Sequence, residues 1–477
     1  MGGGARLRLL ALLLTTAGCA PADGPAALDT AALHARIGAG PAPGRTAASS
    51  EGMVVSGSEY ATRVGALILG RGGNAVDAAV ATAFALAVTE PTQSGMGGRT
   101  QALVRTPDGR AFGIDATTEA PAGYDPEAGG DVEDGYGVIA IPGTVAGLSR
   151  LLADAGSLPM ADVVAPAIAL AEHGFPLSEG EAERLREARG SLGRHPAAAA
   201  IFLAPDGTPL SAGDTLRQPD LARVLRAIAT EGPSVFYEGW IAQAIAADMA
   251  ANGGWVTATD LAAFAAEPAL VVRGAFGELD LIGTYIPASG ATTIEALQIL
   301  ERLDLSAMDE ADRPLAVGAA LLAAFEDRET AWNDARPPSG DAAWIVSAER
   351  ADERAAEVRR LLSVGVAATS GRAFRRGAAA PFVASHPEPA NTTHVSVVDG
   401  DGMAVAMTQS LGPSGGSGVV TPGLGFLYAT TLGGYLGPVE PGDRPWSSQS
   451  PLIAERAGAT AYVLGGAGAR RILSALV

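Results

Sequence analysis

The sequence contains no lysine, so all 33 of its basic residues are arginines, and 52 acidic residues outnumber them. The formal charge of −19 repels phosphate backbones and argues against nucleic-acid binding. No block of like charge stands out as an interaction tail. A single cysteine, Cys19, excludes an intrachain disulfide. The five histidines, His34, His173, His195, His386 and His394, show no metal-ligand spacing. No metal or other cofactor is therefore expected. Long hydrophobic runs are also missing: Leu9 to Leu14 is too short to span a bilayer. What is abundant is apolar residue, 48%, against 18% charged, together with 62 glycines and 31 prolines. That balance predicts a globular chain with many tight turns, not a disordered one.

The short apolar run has a context. Arg6 and Arg8 precede it, and Thr16-Ala17-Gly18-Cys19 follows. A charged start, an apolar stretch and small residues before a cysteine resemble a bacterial lipoprotein signal, in which Cys19 is lipidated and becomes the mature N-terminus. An ordinary secretory signal with an incidental cysteine is the alternative. Both readings export the protein to the cell envelope, as periplasmic or outer-surface protein, with the membrane reached only through the lipid. Residues 1–18 are then signal peptide and 19–52, rich in Ala, Gly and Pro, a flexible tether.

The body begins at about residue 53 with the strand-like Met53-Val54-Val55-Ser56. Helices are expected over Glu59–Leu69 and Ala75–Val88, the second apolar nearly all round and so deeply buried. From about 140 to 380 the spacing is mainly helical, including Ala161–His173, Glu179–Arg189, Leu221–Thr230, Trp240–Asn252 and Ala311–Asn333, with strands over 266–286. Gly371 to Ala390, with Pro381, Pro387 and Pro389, reads as an exposed internal linker. Beyond it, Thr392–Val398 and Met403–Ser410 alternate around Asp399-Gly400-Asp401-Gly402 and predict a β-hairpin. The expected class is α/β, with stacked sheets between helical layers.

The hairpin carries hydroxyls directly after the linker. If the Asn391–Thr392 bond were cut, Thr392 would own both a hydroxyl and a free α-amine, whose pKa of about 8 lets it take the hydroxyl proton. A three-residue loop at 400–402 would set Thr392 opposite Ser410, with Cβ atoms roughly 5 Å apart; a two-residue loop would set it opposite Gln409.

Thr392–Asp399, followed by Asp401-Gly402 and Ala404-Val405, resembles the processing site of the gamma-glutamyltranspeptidase family. Further pieces agree in the family's order: Ala61–Gly65, Gly72–Ala81, Ser94–Gly98, Pro142–Gly147, Pro166–Pro176, Phe236–Gly239 and Arg444–Pro451. The resemblance implies an N-terminal-nucleophile (Ntn) hydrolase, an αββα sandwich of two stacked sheets between helical layers. It implies a large-subunit region at 53–391 and a small-subunit region at 392–477, paired as a heterodimer after self-cleavage. The small-subunit region would extend past Val477, leaving the C-terminal part of the sandwich incomplete. Thr392 matches the nucleophile and Ser410 a second hydroxyl beside it. Ser447 and Ser448 match a serine pair that contacts the substrate carboxylate, and Gly468 and Ala469 the backbone donors of an oxyanion hole.

The substrate pocket departs from the family. Asp115 is present, but Thr117 stands where the family has an Arg for the γ-glutamyl α-carboxylate. The residues that would hold the α-amino group align with Gly412, Thr431 and Gly434. Arg99 follows Gly97-Gly98 where the family has more glycine, and it is the candidate to bind an anionic group by another route. Three readings result. One is a self-processing γ-glutamyl amidohydrolase or acyltransferase. Another is an acylase for a different amide, of glutaryl or cephalosporin type. The third is an unprocessed, inactive lipoprotein that binds small peptides.

Overall fold

The hairpin lies at the centre of the molecule in the computed structural model, which describes residues 29–39, 46–129, 132–333, 339–363 and 390–477. Its strands are β7 (Ala390–Asp399) and β8 (Ala404–Pro413). The turn closes through Asp399 N–H to the Met403 carbonyl at 3.1 Å, and Gly402 takes φ +85°, the left-handed region that favours glycine. Val398 pairs with Ala404 and Thr393 with Gln409, the register of the three-residue loop, until a bulge interrupts pairing between Gln409 and Gly412.

Around this hairpin, β1 (Gly52–Val55), β2 (Arg99–Arg105), β3 (Ala111–Ala116) and β4 (Glu267–Ala269) complete a six-stranded sheet in the order β1-β7-β8-β2-β3-β4. Every pair in it is antiparallel. A second antiparallel sheet is ordered β10 (Ala459–Leu464), β9 (Leu452–Arg456), β6 (Leu279–Thr284) and β5 (Val271–Phe276). Leu103, Ile282, Ala404, Ala406 and Ile453 meet between the sheets, and the two alanines on β8 leave room for close approach.

Helices cover both outer faces. Those on the first are α2 (Glu59–Leu69), α3 (Ala75–Thr89), α4 (Thr144–Ala155) and α5 (Met160–His173). All fifteen residues of α3 are buried, as its nearly all-apolar sequence predicts; each large apolar side chain there contributes about 1.5–3 kcal/mol by leaving water. Its N-terminus is capped by Asn74 and Asp77, and the Asp399 carboxylate accepts from Ala75 N–H at 2.9 Å. The end of β7 is thereby tied to the start of α3. On the other face lie α7 (Gly290–Glu301), α8 (Arg313–Asn333) and α9 (Ala348–Ser363), after a short α6 (Glu179–Glu187) nearer the hairpin. Two stacked sheets between helical layers are thus observed.

One expectation needs correction. Within the supposed tether, Thr30–Ala39 forms a helix, α1, that docks on α5. Leu33 and Ile37, one turn apart on one face, are buried, and the His34 ring lies 2.7 Å from the Gly174 carbonyl oxygen. The Ala- and Gly-rich composition concealed that two-residue apolar face. Cys19, the expected signal segment and most of the expected linker at 371–390 lie outside the described residues.

Candidate active site

Antiparallel pairing places side chains of directly opposed residues on one face. Ser396 and His394 of β7 face the second sheet, since Ser396 Oγ donates to the Val463 carbonyl at 3.0 Å and Gly465 abuts the His394 ring. Thr392, two residues further along, shares that face. Ser410 belongs to it by register, and Arg99 is the direct partner of Ser410 on β2. Thr392, Ser410 and Arg99 therefore form a row across three neighbouring strands between the sheets.

At one end of the row the two hydroxyls meet. Thr392 Oγ1 lies 3.1 Å from Ser410 Oγ. Both reach the carbonyl oxygen of Asn391, Thr392 at 2.8 Å and Ser410 at 3.0 Å, so two hydroxyl protons serve three contacts. Ser410 Oγ also accepts from Gly412 N–H at 3.0 Å, across the bulge. With the Asn391–Thr392 bond intact, a nucleophilic oxygen sits beside the preceding carbonyl while a second hydroxyl polarises that carbonyl. This is the arrangement an N-to-O acyl shift needs.

Asn391 is held from the opposite side by α6. Arg184 Nε donates to Asn391 Oδ1 at 3.1 Å. The Asn391 amide nitrogen donates to Ser414 Oγ, which in turn donates to Glu187 at 2.6 Å. Beneath them lie two buried carboxylates, Glu90 and Glu181. Burial raises both, and burial followed by the neighbouring Glu90 charge pushes Glu181 up to about 7. Glu181 accepts from Thr92 N–H at 2.9 Å and lies 3.9 Å from Arg184. Sequence reading missed this cradle: α6 looks there like an ordinary charged helix, and nothing local marks its meeting with Asn391.

His394 is half-buried, and the desolvation it meets pushes its imidazole down to about 3 and keeps it neutral. Its nitrogens lie 2.8 Å from Thr408 Oγ1 and 3.1 Å from Ser396 Oγ, a packing role in the sheet interior. Ser447 is tied to the same face. Its hydroxyl engages Gln449, whose Nε2 donates to the Thr408 carbonyl at 2.8 Å, and its own carbonyl accepts from Ser289 and Arg328. Ser448, half-buried, follows it. Gly468 takes φ +131° and Ala469 φ +48°; Ala469 thus adopts the left-handed region despite its Cβ. The two residues form the turn that opens α10 (Arg471–Leu476).

The row's far end is rebuilt relative to the sequence expectation. Arg99 is 3% exposed, donates from Nη1 to the Thr430 carbonyl at 3.1 Å and lies over the Tyr435 ring, 6.0 Å from its centroid. Gly412, φ +93°, leaves the space for it: a Cβ there would stand 3.3 Å from Arg99 Nη2 and 2.9 Å from Tyr435. Tyr435 was not foreseen. Asp115 is engaged by Gln101 Nε2 at 2.5 Å and by Thr117 N–H at 2.9 Å, and lies 3.9 Å from Arg444. Thr431 is buried with its hydroxyl 3.0 Å from Thr118 Oγ1, an engagement away from the Thr392–Ser410 pair.

Residues 61–477 match the sequence profile of gamma-glutamyltranspeptidase. The chain is 34% identical over 452 residues to the acylase ACY 1 proenzyme of Pseudomonas sp. strain SE83, covering 90% of this chain and 78% of that protein. It is also 34% identical over 459 residues to the glutathione hydrolase proenzyme of Escherichia coli K12, covering 90% and 77%. Cephalosporin acylase from Bacillus halodurans superposes with a TM-score of 0.75 at 26% identity, over 91% of this chain and 80% of that one. With its stacked antiparallel sheets in the arrangement of Ntn hydrolases and this match over most of its length, the chain belongs to the gamma-glutamyltranspeptidase family of hydrolases and acylases.

Proposed function

We propose that this chain is a self-processing amidohydrolase whose nucleophile is Thr392. The reading is carried by one observation: the hydroxyls of Thr392 and Ser410 converge on the Asn391 carbonyl. In the precursor, Thr392 Oγ1 attacks the Asn391 carbonyl carbon, the C–N bond breaks as its nitrogen takes a proton, and an ester forms. Water then hydrolyses that ester, giving an Asn391 carboxylate and a Thr392 with a free α-amine. In the mature enzyme that amine takes the hydroxyl proton while Oγ1 attacks a substrate amide. The N–H groups of Gly468 and Ala469 face the developing oxyanion, and Ser447 and Ser448 contact the acyl group. Water resolves the acyl-enzyme by hydrolysis, or an amine by transfer. The two fragments stay together as a heterodimer, because β7 is buried inside the sheet that the larger fragment helps to build.

The acyl donor is a γ-glutamyl amide or a related one. Thr117 in place of a cation, and Gly412 and Gly434 in place of polar side chains, favour the acylase alternative. The leader further supports export and lipid attachment at Cys19. Intact mass and N-terminal sequencing of the purified protein, beside Thr392→Ala, test these steps together. Expected are a fragment starting at Thr392, absent from the variant, and a larger fragment starting at lipid-modified Cys19. A single intact chain would overturn the mechanism and leave an inactive peptide-binding protein; an unmodified Cys19 would overturn the anchor alone.

A further inference from the structure

We infer that Arg99 is the specificity residue of this site and selects a short dicarboxylic half-amide, an acyl chain ending in a carboxylate with no ammonium beside it. The inference rests on the amidohydrolase reading, for which it names the substrate class. Three observations support it. Arg99 stands on the same inter-sheet face as Thr392 and Ser410, one strand beyond Ser410. Strands lie about 4.8 Å apart, so the backbones of Thr392 and Arg99 are separated by roughly 10 Å. An acyl group bonded to Thr392 that lies along this row is therefore short, and its distal end meets the guanidinium.

The guanidinium is also fixed in place. The Thr430 carbonyl holds Nη1, the Tyr435 ring lies beneath it, and Gly412, without a Cβ, admits Nη2 close to the β7–β8 bulge. A planar cation fixed in this way binds a carboxylate with little loss of freedom on binding. Its burial, finally, strengthens its action on a substrate charge. At 3% exposure the charge is weakly screened, so a substrate carboxylate is attracted and a substrate ammonium repelled far more strongly than at a surface. A γ-glutamyl group brings both charges to the same end of the acyl chain; a glutaryl group brings only the favourable one.

The test compares three chromogenic amides on the processed enzyme: glutaryl-, γ-glutamyl- and pentanoyl-p-nitroanilide. These have the same five-carbon acyl chain and differ only in its distal charges. Glutaryl is expected to exceed both others in kcat/KM by about tenfold or more, the scale of one charged hydrogen bond. Arg99→Gln is expected to remove that advantage through KM, bringing the glutaryl amide down to the kcat/KM of the pentanoyl amide measured on the same variant, and Arg99→Lys to keep part of it. Equal turnover of the glutaryl and pentanoyl amides, or a preference for γ-glutamyl, overturns the inference without any variant. Calorimetry with glutarate, on parent and Arg99→Gln, reads the anion site apart from catalysis. Saturable binding lost in the variant supports the site; no binding to the parent overturns it. Failure of all three amides with glutarate binding intact would instead overturn the amidohydrolase reading.

Discussion

Replacing Glu181 by Gln should stabilise the protein, and increasingly so as pH rises. Glu181 is 1% exposed on α6, beside the buried Glu90 and close to Arg184, which holds Asn391. Its carboxyl is pushed from 4.5 to about 7, first by burial and then by Glu90. A carboxyl raised in the folded state costs nothing below pH 4.5, where both states are protonated. Above that the unfolded chain ionises while the folded one resists, so stability falls until the folded group ionises near pH 7 and is level beyond. At about 1.4 kcal/mol per pKa unit the cost is about 1 kcal/mol at pH 5 and approaches about 3 kcal/mol by pH 8. Gln keeps the Oε1 that accepts from Thr92 N–H, relieves the repulsion on Glu90, and gives up only a 3.9 Å approach to Arg184. Urea unfolding of parent and variant at pH 5 and pH 8 measures the difference, which cancels the background slope from the −19 overall charge. The variant's advantage should grow by about 2 kcal/mol over that interval. Parallel curves, or a variant less stable at pH 8, would show that Glu181 is held ionised by Arg184 and refute the reasoning.

Ser410→Ala removes the hydroxyl on the Asn391 carbonyl oxygen, so accumulation of the Thr392-initiated fragment should slow by about 10²-fold, the scale of one lost oxyanion donor; a time course by mass spectrometry that matched the parent would exclude that role. Gly465→Ala would place a Cβ 2.0 Å from the His394 ring. That ring is half-buried and hydrogen-bonded on both sides, so overpacking should cost about 1–3 kcal/mol. Because Gly465 leads into the Gly468–Ala469 turn, the p-nitroanilide activity should fall with it; unchanged unfolding midpoint and turnover would count against both points.

Where the sequence carried a local signal, the architecture was readable. The turn chemistry of Asp399–Gly402 announced a hairpin, whose register the structure fixes by pairing Val398 with Ala404, and the nearly all-apolar run of α3 announced its burial. Strands β2 and β3 went unread for a physical reason. Every residue of β2 is buried, Arg99, Gln101 and Arg105 included, so the alternation that betrays a half-exposed strand is absent. The site divides in the same way. Thr392 and Ser410 meet within one hairpin and are paired by counting once the three-residue loop is given, whereas Arg184 and, through Ser414, Glu187 reach Asn391 from some 200 positions away. Arg99 was visible only as a misfit beside Gly98. Its setting, Thr430, Tyr435 and the missing Cβ of Gly412, comes from a distant part of the chain.

The altered pocket is better understood as rebuilt than as eroded. Loss of a cation at position 117 by itself would strand the Asp115 carboxylate, because a buried charge without partners costs several kcal/mol. Instead Gln101, on the same face of β2, donates to both Asp115 and Thr117 at 2.5 and 2.7 Å. Arg444 approaches Asp115 from behind while pairing with Glu119 at 3.0 Å. Thr118 and Thr431 satisfy each other. Continuing the β2–β3 register one step past Ala116 brings Thr117 opposite Arg99. Arg99 thus places a positive charge in the row one strand nearer to Thr392 than position 117, and the polar groups around Thr117 are engaged with one another. Decay would remove contacts independently of one another and leave the neighbours of Thr392 unmatched. Arg99, the Gly412 that makes room for it and the Asp115 carboxylate tied by Gln101 depend on each other, and that dependence is what the proposed selection of a different acyl group requires.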